Sequence, residues 1–177
     1  MNKSAHDNIR QGLLLILRTA VIAVLIHQII SPSIVRGHSM ENTLFEKDYI
    51  LLGRQPYQLL SEYKRGDIIV LRSDLDYNGH KKNLVKRIIA LPGDTVSIKG
   101  GLVYLNGEVL HEPYTKDGFT ASDMDELTVS ERSLFCLGDN RQNSADSRSP
   151  SIGFISNDQV IGKALFRLFP LNRVGPL

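Results

Sequence analysis

Hydrophobic and polar positions divide the chain near residue 30. Residues 13–30 form a nearly unbroken apolar run in which Arg18 is the one full charge. As a helix rising 1.5 Å per residue, that run is about 27 Å long, close to the hydrocarbon thickness of a bilayer. A central arginine opposes insertion by about 2.5–3.5 kcal/mol, and the flanking Leu, Ile and Val gain a few tenths each. A single membrane anchor is the favoured reading. A cleaved signal peptide fits the basic start (Lys3, Arg10), but Arg18 interrupts its apolar region and Ser31-Pro32-Ser33 is a poor cleavage site. A helix lying on a surface needs a broad charged face, which Arg18, Thr19, His27 and Gln28 do not supply.

Beyond Ser31-Pro32 the pattern changes to short runs rich in Val, Ile, Leu and aromatics, with turn residues between them. Strands are predicted over 49–52, 67–71, 84–91, 95–99, 102–105, 108–110, 133–137 and 160–166. Gly100-Gly101 and Asn106-Gly107 separate three of these runs by two residues each. Both dipeptides supply the positive φ of tight hairpin turns, so a β-meander is predicted over 95–110. Residues 111–129 are polar and rich in aspartate, which reads as a long loop or a variable excursion. His80 and His111 fall in turn-like contexts.

Composition narrows the function classes. The chain has 177 residues, 42% hydrophobic, with a net charge of +2. That length fits one compact domain with an appendage. Near-neutral charge gives no support to nucleic-acid binding. Cys136 is the only cysteine, so neither an internal disulfide nor a cysteine-based zinc site is available. No His-Glu-x-x-His is present, and no metal is expected.

Three segments carry candidate chemistry. In Gly37-His38-Ser39-Met40, a serine at the end of an extended run presents its hydroxyl and its own backbone N–H to one point. Acyl transfer needs both a nucleophile and an oxyanion donor, although a serine that merely ends a strand looks the same. In residues 84–90, strand alternation puts Lys86 on one face with Leu84, Ile88 and Ala90, and puts Arg87 on the other, read as the solvent side. Burial of a lysine amine lowers its pKa and makes it a usable general base; the alternative is a lysine that snorkels to water. Residues 138–148 are almost wholly polar. They read either as a solvated loop or as a shell around a catalytic group, with Asp146 and Arg148 as an ion pair and a serine hydroxyl on the lysine. His38 is badly placed as a base for Ser39, because adjacent residues of extended chain face opposite ways.

In this order, behind one apolar run, these segments resemble type I signal peptidases, the membrane-anchored Ser/Lys proteases of bacteria. The resemblance rests on residues 37–44, on Lys-Arg-x-x-x-x-Pro-Gly-Asp over 86–94, on Gly-Asp-Asn-Arg-x-Asn-Ser-x-Asp-Ser-Arg over 138–148, and on Gly66-Asp67-Ile68-Ile69-Val70. It implies a mostly β fold: an antiparallel catalytic sheet over 31–177, with a smaller inserted β region over about 95–132. It also implies a short cytoplasmic tail (1–12), a transmembrane anchor (13–30) and a catalytic domain on the extracytoplasmic side. By the same resemblance Ser39 is the nucleophile, its N–H the oxyanion donor, and Lys86 the general base. Ser144 orients the amine, and Asp146 and Arg148 support the site. Val35 and Val85 wall shallow pockets for small side chains at −1 and −3 of an exported preprotein, which lies extended beside a strand over 33–37. No cofactor is implied.

Two positions depart from the family pattern. Asn42 stands where a proline is usual, and Gln142 where an acidic residue is common. Gly37 also lacks the serine hydroxyl that some members place two residues before the nucleophile. The rival functions are a catalytically weak or non-enzymatic β-domain that binds exported chains, and a self-cleaving Ser/Lys protease. The latter would carry a helical DNA-binding domain where this chain has its apolar run.

Overall fold

A computed structural model describes residues 3–54, 62–77 and 80–177. Met1 and Asn2 of the predicted N-tail lie outside the described residues. Helix α1, Lys3–Ile29, runs directly into the strand β1, Ile30–Ile34. Its segment Ile9–Ile29 is long and apolar enough to cross a membrane, and none of it is buried against the rest of the protein. The predicted anchor therefore gives up Ile30 to β1, an edge strand that admits Pro32 because one side needs no ladder hydrogen bond. The predicted strand over 33–37 stops at Ile34, and Gly37 turns the chain at φ +87°.

The larger antiparallel sheet contains β1, β2 (Tyr49–Arg54), β3 (Ile68–Tyr77), β4 (His80–Ala90), β9 (Ser133–Leu137), β10 (Ile155–Ser156) and β11 (Val160–Phe169). Its order is β1-β2-β11-β3-β4-β9-β10, and β12, Gly175–Pro176, pairs with β11. A second sheet has the order β7-β6-β5-β8, from β5 (Thr95–Lys99), β6 (Leu102–Leu105), β7 (Glu108–Val109) and β8 (Met124–Thr128). The meander is as its glycines require: Gly100, Gly101, Asn106 and Gly107 all take positive φ. β8 corrects the reading of 111–129 as a loop throughout. Its side chains are mostly exposed, so no apolar alternation marks it, and pairing to β5 alone makes it a strand. His80 likewise opens β4 opposite Tyr77 rather than sitting in a turn.

Period-2 alternation builds three apolar clusters. Val35, Met40, Leu44, Ile50, Leu52, Ile68, Val70 and Ala164 pack on one face. Ile69, Leu71, Ile88, Leu134, Cys136, Ile155 and Val160 pack on the other. The second sheet closes over Ile89, Ala90, Phe135 and Leu137 through Val96, Ile98 and Val103. Each fully buried aliphatic side chain contributes about 1.5–3 kcal/mol, so both edges of the site described next are held by rigid packing. A register irregularity between Ile88 and Ala90 takes Ala90 out of the Lys86 face and into the cluster with Ile89.

Candidate active site

The turn carrying Ser39 is fastened at both ends. Met40 and Leu44 are 1% and 0% exposed in the core, and Leu44 N–H donates to the Met40 carbonyl at 2.7 Å. On its other flank Asn140 donates from Nδ2 to the His38 carbonyl and from its backbone N–H to the Ser39 carbonyl, both at 3.0 Å. The turn contains a cis Glu41–Asn42 peptide bond. Ser39 N–H donates to nothing among the described residues.

Lys86 enters from β4 and is 2% exposed. Its Nζ lies 2.8 Å from Ser39 Oγ and donates to the Val85 carbonyl at 2.9 Å. Burial pulls the amine from its ordinary 10.5 down to about 8, against the opposing pull of the Asp146 charge. Asp146 is itself buried. Burial works to raise its carboxyl, but the Arg148 guanidinium outweighs it and holds the group below the usual range. The Asp146–Arg148 contacts run Nε to Oδ1 at 2.8 Å and Nη2 to Oδ2 at 2.9 Å, and Asp146 also accepts from Gly138 N–H at 3.1 Å. Ser144 Oγ is buried beside Gly138 and helps hold the Asp146 carboxyl ionised, and no hydrogen bond joins it to the lysine amine.

Arg87 overturns its reading as a solvent-side cation. It is 9% exposed and makes a bidentate pair with the fully buried Asp139, Nε to Oδ1 at 2.8 Å and Nη2 to Oδ2 at 2.7 Å. It also donates to the Gly66 carbonyl at 2.8 Å and stacks 4.1 Å from the Tyr114 ring centroid. Thr43 Oγ1 donates to Asp139 at 2.5 Å, tying the serine turn to the same pair. Arg141, wholly buried, pairs with Glu112. In the sequence Asp139, Asn140 and Arg141 belong to the Gly-Asp-Asn-Arg pattern over 138–148 but carry no individual role. Besides that pattern, their signal is their place directly after a strand in a segment almost devoid of apolar bulk.

A groove of about 290 Å³ opens on Ser39 and Lys86, with Arg36, Gly37, His38 and Ser39 along one wall and residues 82–86 along the other. Along that second wall β4 has a free edge among the described residues: residues 83–86 pair with β3, whereas β9 joins β4 only from Arg87 onward. Val85 lines the groove, while Val35 is 3% exposed within the core beneath it. His38 turns away from Ser39, its Nδ1 lying 2.7 Å from Glu41 Oε1. Among the described residues no cluster suits a metal ion.

A buried amine of lowered basicity in contact with a serine hydroxyl, beside an open strand edge on a β fold, is an arrangement suited to a serine hydrolase. The family model for signal peptidase, peptidase S26, matches residues 9–169, and the chain belongs to that family. It is 38% identical over 169 residues to signal peptidase I of Bacillus amyloliquefaciens, covering 90% of this chain and 87% of that protein. To signal peptidase I S of Bacillus subtilis (strain 168) it is 35% identical, covering 98% of this chain and 96% of that one. The crystal structure of a signal peptidase I from Enterococcus faecalis V583 matches with 32% identity and a TM-score of 0.48, covering 58% of this chain and 97% of that one. As a member of this family the chain is a serine protease that removes signal peptides.

Proposed function

We propose that Ser39 is the nucleophile and Lys86 the general base of this signal peptidase. The observation that carries the reading is the 2.8 Å approach of an amine only 2% exposed to Ser39 Oγ. A neutral amine accepts the serine proton as the oxygen attacks the scissile carbonyl, then delivers it to the leaving nitrogen. A water deprotonated by the same amine releases the acyl group. The unused Ser39 N–H stabilises the developing oxyanion, and Gly37 adds no side-chain donor.

Asp146 and Arg148 hold the 138–148 segment against the dyad. The Ser144 hydroxyl, beside the Asp146 carboxylate, takes the amine once Ser39 Oγ is acylated and can no longer hold it. The preprotein lies extended between residues 36–39 and the free edge of β4, pairing through its backbone. Its −1 and −3 side chains face the floor beside Val85, where little depth is left and small residues fit. Val35 shapes that floor from below. The helix α1 anchors the protein in lipid with the β domain on the extracytoplasmic side, where exported chains emerge.

The test is cleavage of a preprotein by the detergent-solubilised full chain. Wild type cleaves, while Ser39→Ala and Lys86→Met do not. Cleavage retained by Lys86→Met removes this mechanism.

A further inference from the structure

Among the described residues, basic side chains line both walls of the groove. Arg36 and Lys82 line it together with Lys86, and among the described residues no aspartate or glutamate lines it. Arg36 is exposed and makes no hydrogen bond or ion pair among the described residues. The nearest acid along the chain is committed elsewhere: Glu41 accepts from His38 at 2.7 Å and from Lys116 at 2.9 Å. Lys82 stands on the opposite wall, four residues before Lys86 on β4, so about 13 Å of strand separates it from the dyad. Arg36 likewise precedes Ser39 on its own wall. Both cations therefore flank one side of the scissile bond.

We infer that Arg36 and Lys82 form a cationic collar that selects preproteins by charge. The collar favours Asp or Glu over Lys or Arg at −2 and −4. The inference rests on the extended binding proposed above. In an extended chain −1 and −3 face the floor, which leaves −2 and −4 directed toward solvent and the groove rims. Arg36 follows the same alternation: Val35 before it is buried, and Arg36 itself points out. An exposed ion pair typically changes an equilibrium by about threefold, and a like-charge contact by as much in the other direction. A Glu-for-Lys exchange at −2 is thus expected to raise kcat/KM about tenfold at low salt, falling toward unity near 1 M salt where the Debye length is about 3 Å.

The experiment compares peptides identical except for Glu, Gln or Lys at −2, and a second set varied at −4, with the full chain in neutral detergent. Wild type, Arg36→Glu and Lys82→Glu are each scored by the Glu/Lys ratio of kcat/KM, which is independent of any change in overall activity. The expected result is a ratio well above one for wild type at one or both positions. That ratio collapses or inverts in at least one variant and weakens with salt. A wild-type ratio near one at both positions, or a ratio unmoved by either substitution, overturns the inference while leaving the dyad intact. If wild type cleaves none of the peptides, the substrate reading itself falls, and this one with it.

Discussion

Replacing Lys86 by Met separates the two consequences of burying an amine. The amine's folded-state pKa is about 8 against 10.5 in an accessible chain, with burial as the main cause. Between those values the unfolded chain binds a proton that the native protein does not. Raising the pH from 8 to 10.5 therefore stabilises the native state, and below 8 the whole penalty is present. At 1.36 kcal/mol per unit, the penalty at pH 7 is about 3 kcal/mol, of which less than 1 kcal/mol remains at pH 10. Methionine has similar reach and no charge, so its variant lacks this term at every pH. It does lose the bonds to Ser39 Oγ and the Val85 carbonyl, a cost that does not vary with pH. The difference in unfolding free energy between wild type and Lys86→Met should therefore move by about 2–3 kcal/mol in favour of wild type from pH 7 to pH 10. Urea unfolding in detergent, followed by far-ultraviolet circular dichroism, measures it without relying on tyrosine emission. A difference that stays constant across this range would refute the claim that the amine is desolvated.

The same amine predicts that kcat/KM rises with pH along a single ionisation near 8 and falls about tenfold per unit well below it; a profile flat from pH 6 to 9 contradicts a lysine base. Arg87→Ala strands the buried Asp139 carboxylate and should cost about 3–5 kcal/mol in chemical denaturation, far more than an exposed ion pair. Asn140→Ala frees the His38 carbonyl and loosens the nucleophile turn: about 1 kcal/mol of stability is lost, with a disproportionate fall in kcat of about tenfold. Gly138→Ala places a methyl group 2.5 Å from the Ser39 carbonyl oxygen and into Ser144 Oγ. Its expected signature is lost cleavage with folded-state circular dichroism retained, because the clash falls on the site rather than the core.

How much was legible differs by segment. The apolar run over 13–30, the meander at 95–110 and the odd position of Lys86 could all be read because each has a local physical origin. These origins are a length matched to a bilayer, dipeptides that tolerate positive φ, and a charge where alternation demands an apolar residue. Strand β8 could not be read this way, since exposed residues become a strand there only through a partner 26 or more positions away in sequence. Arg87 is the sharper example. Alternation correctly sent it to the face opposite Lys86, but whether that face meets water depended on Asp139, Thr43 and Tyr114 arriving from elsewhere in the chain.

By itself, then, the amino-acid order determined a helix fit for a bilayer, a β domain behind it, and two chemically unusual residues 47 positions apart. Tertiary structure alone decided that these two meet at 2.8 Å, that the amine is sealed from water, and that β4 keeps an open edge beside them. The reason is physical. Propensity and periodicity act over a few residues, whereas desolvation and hydrogen bonding between distant groups exist only once the sheets have closed around them.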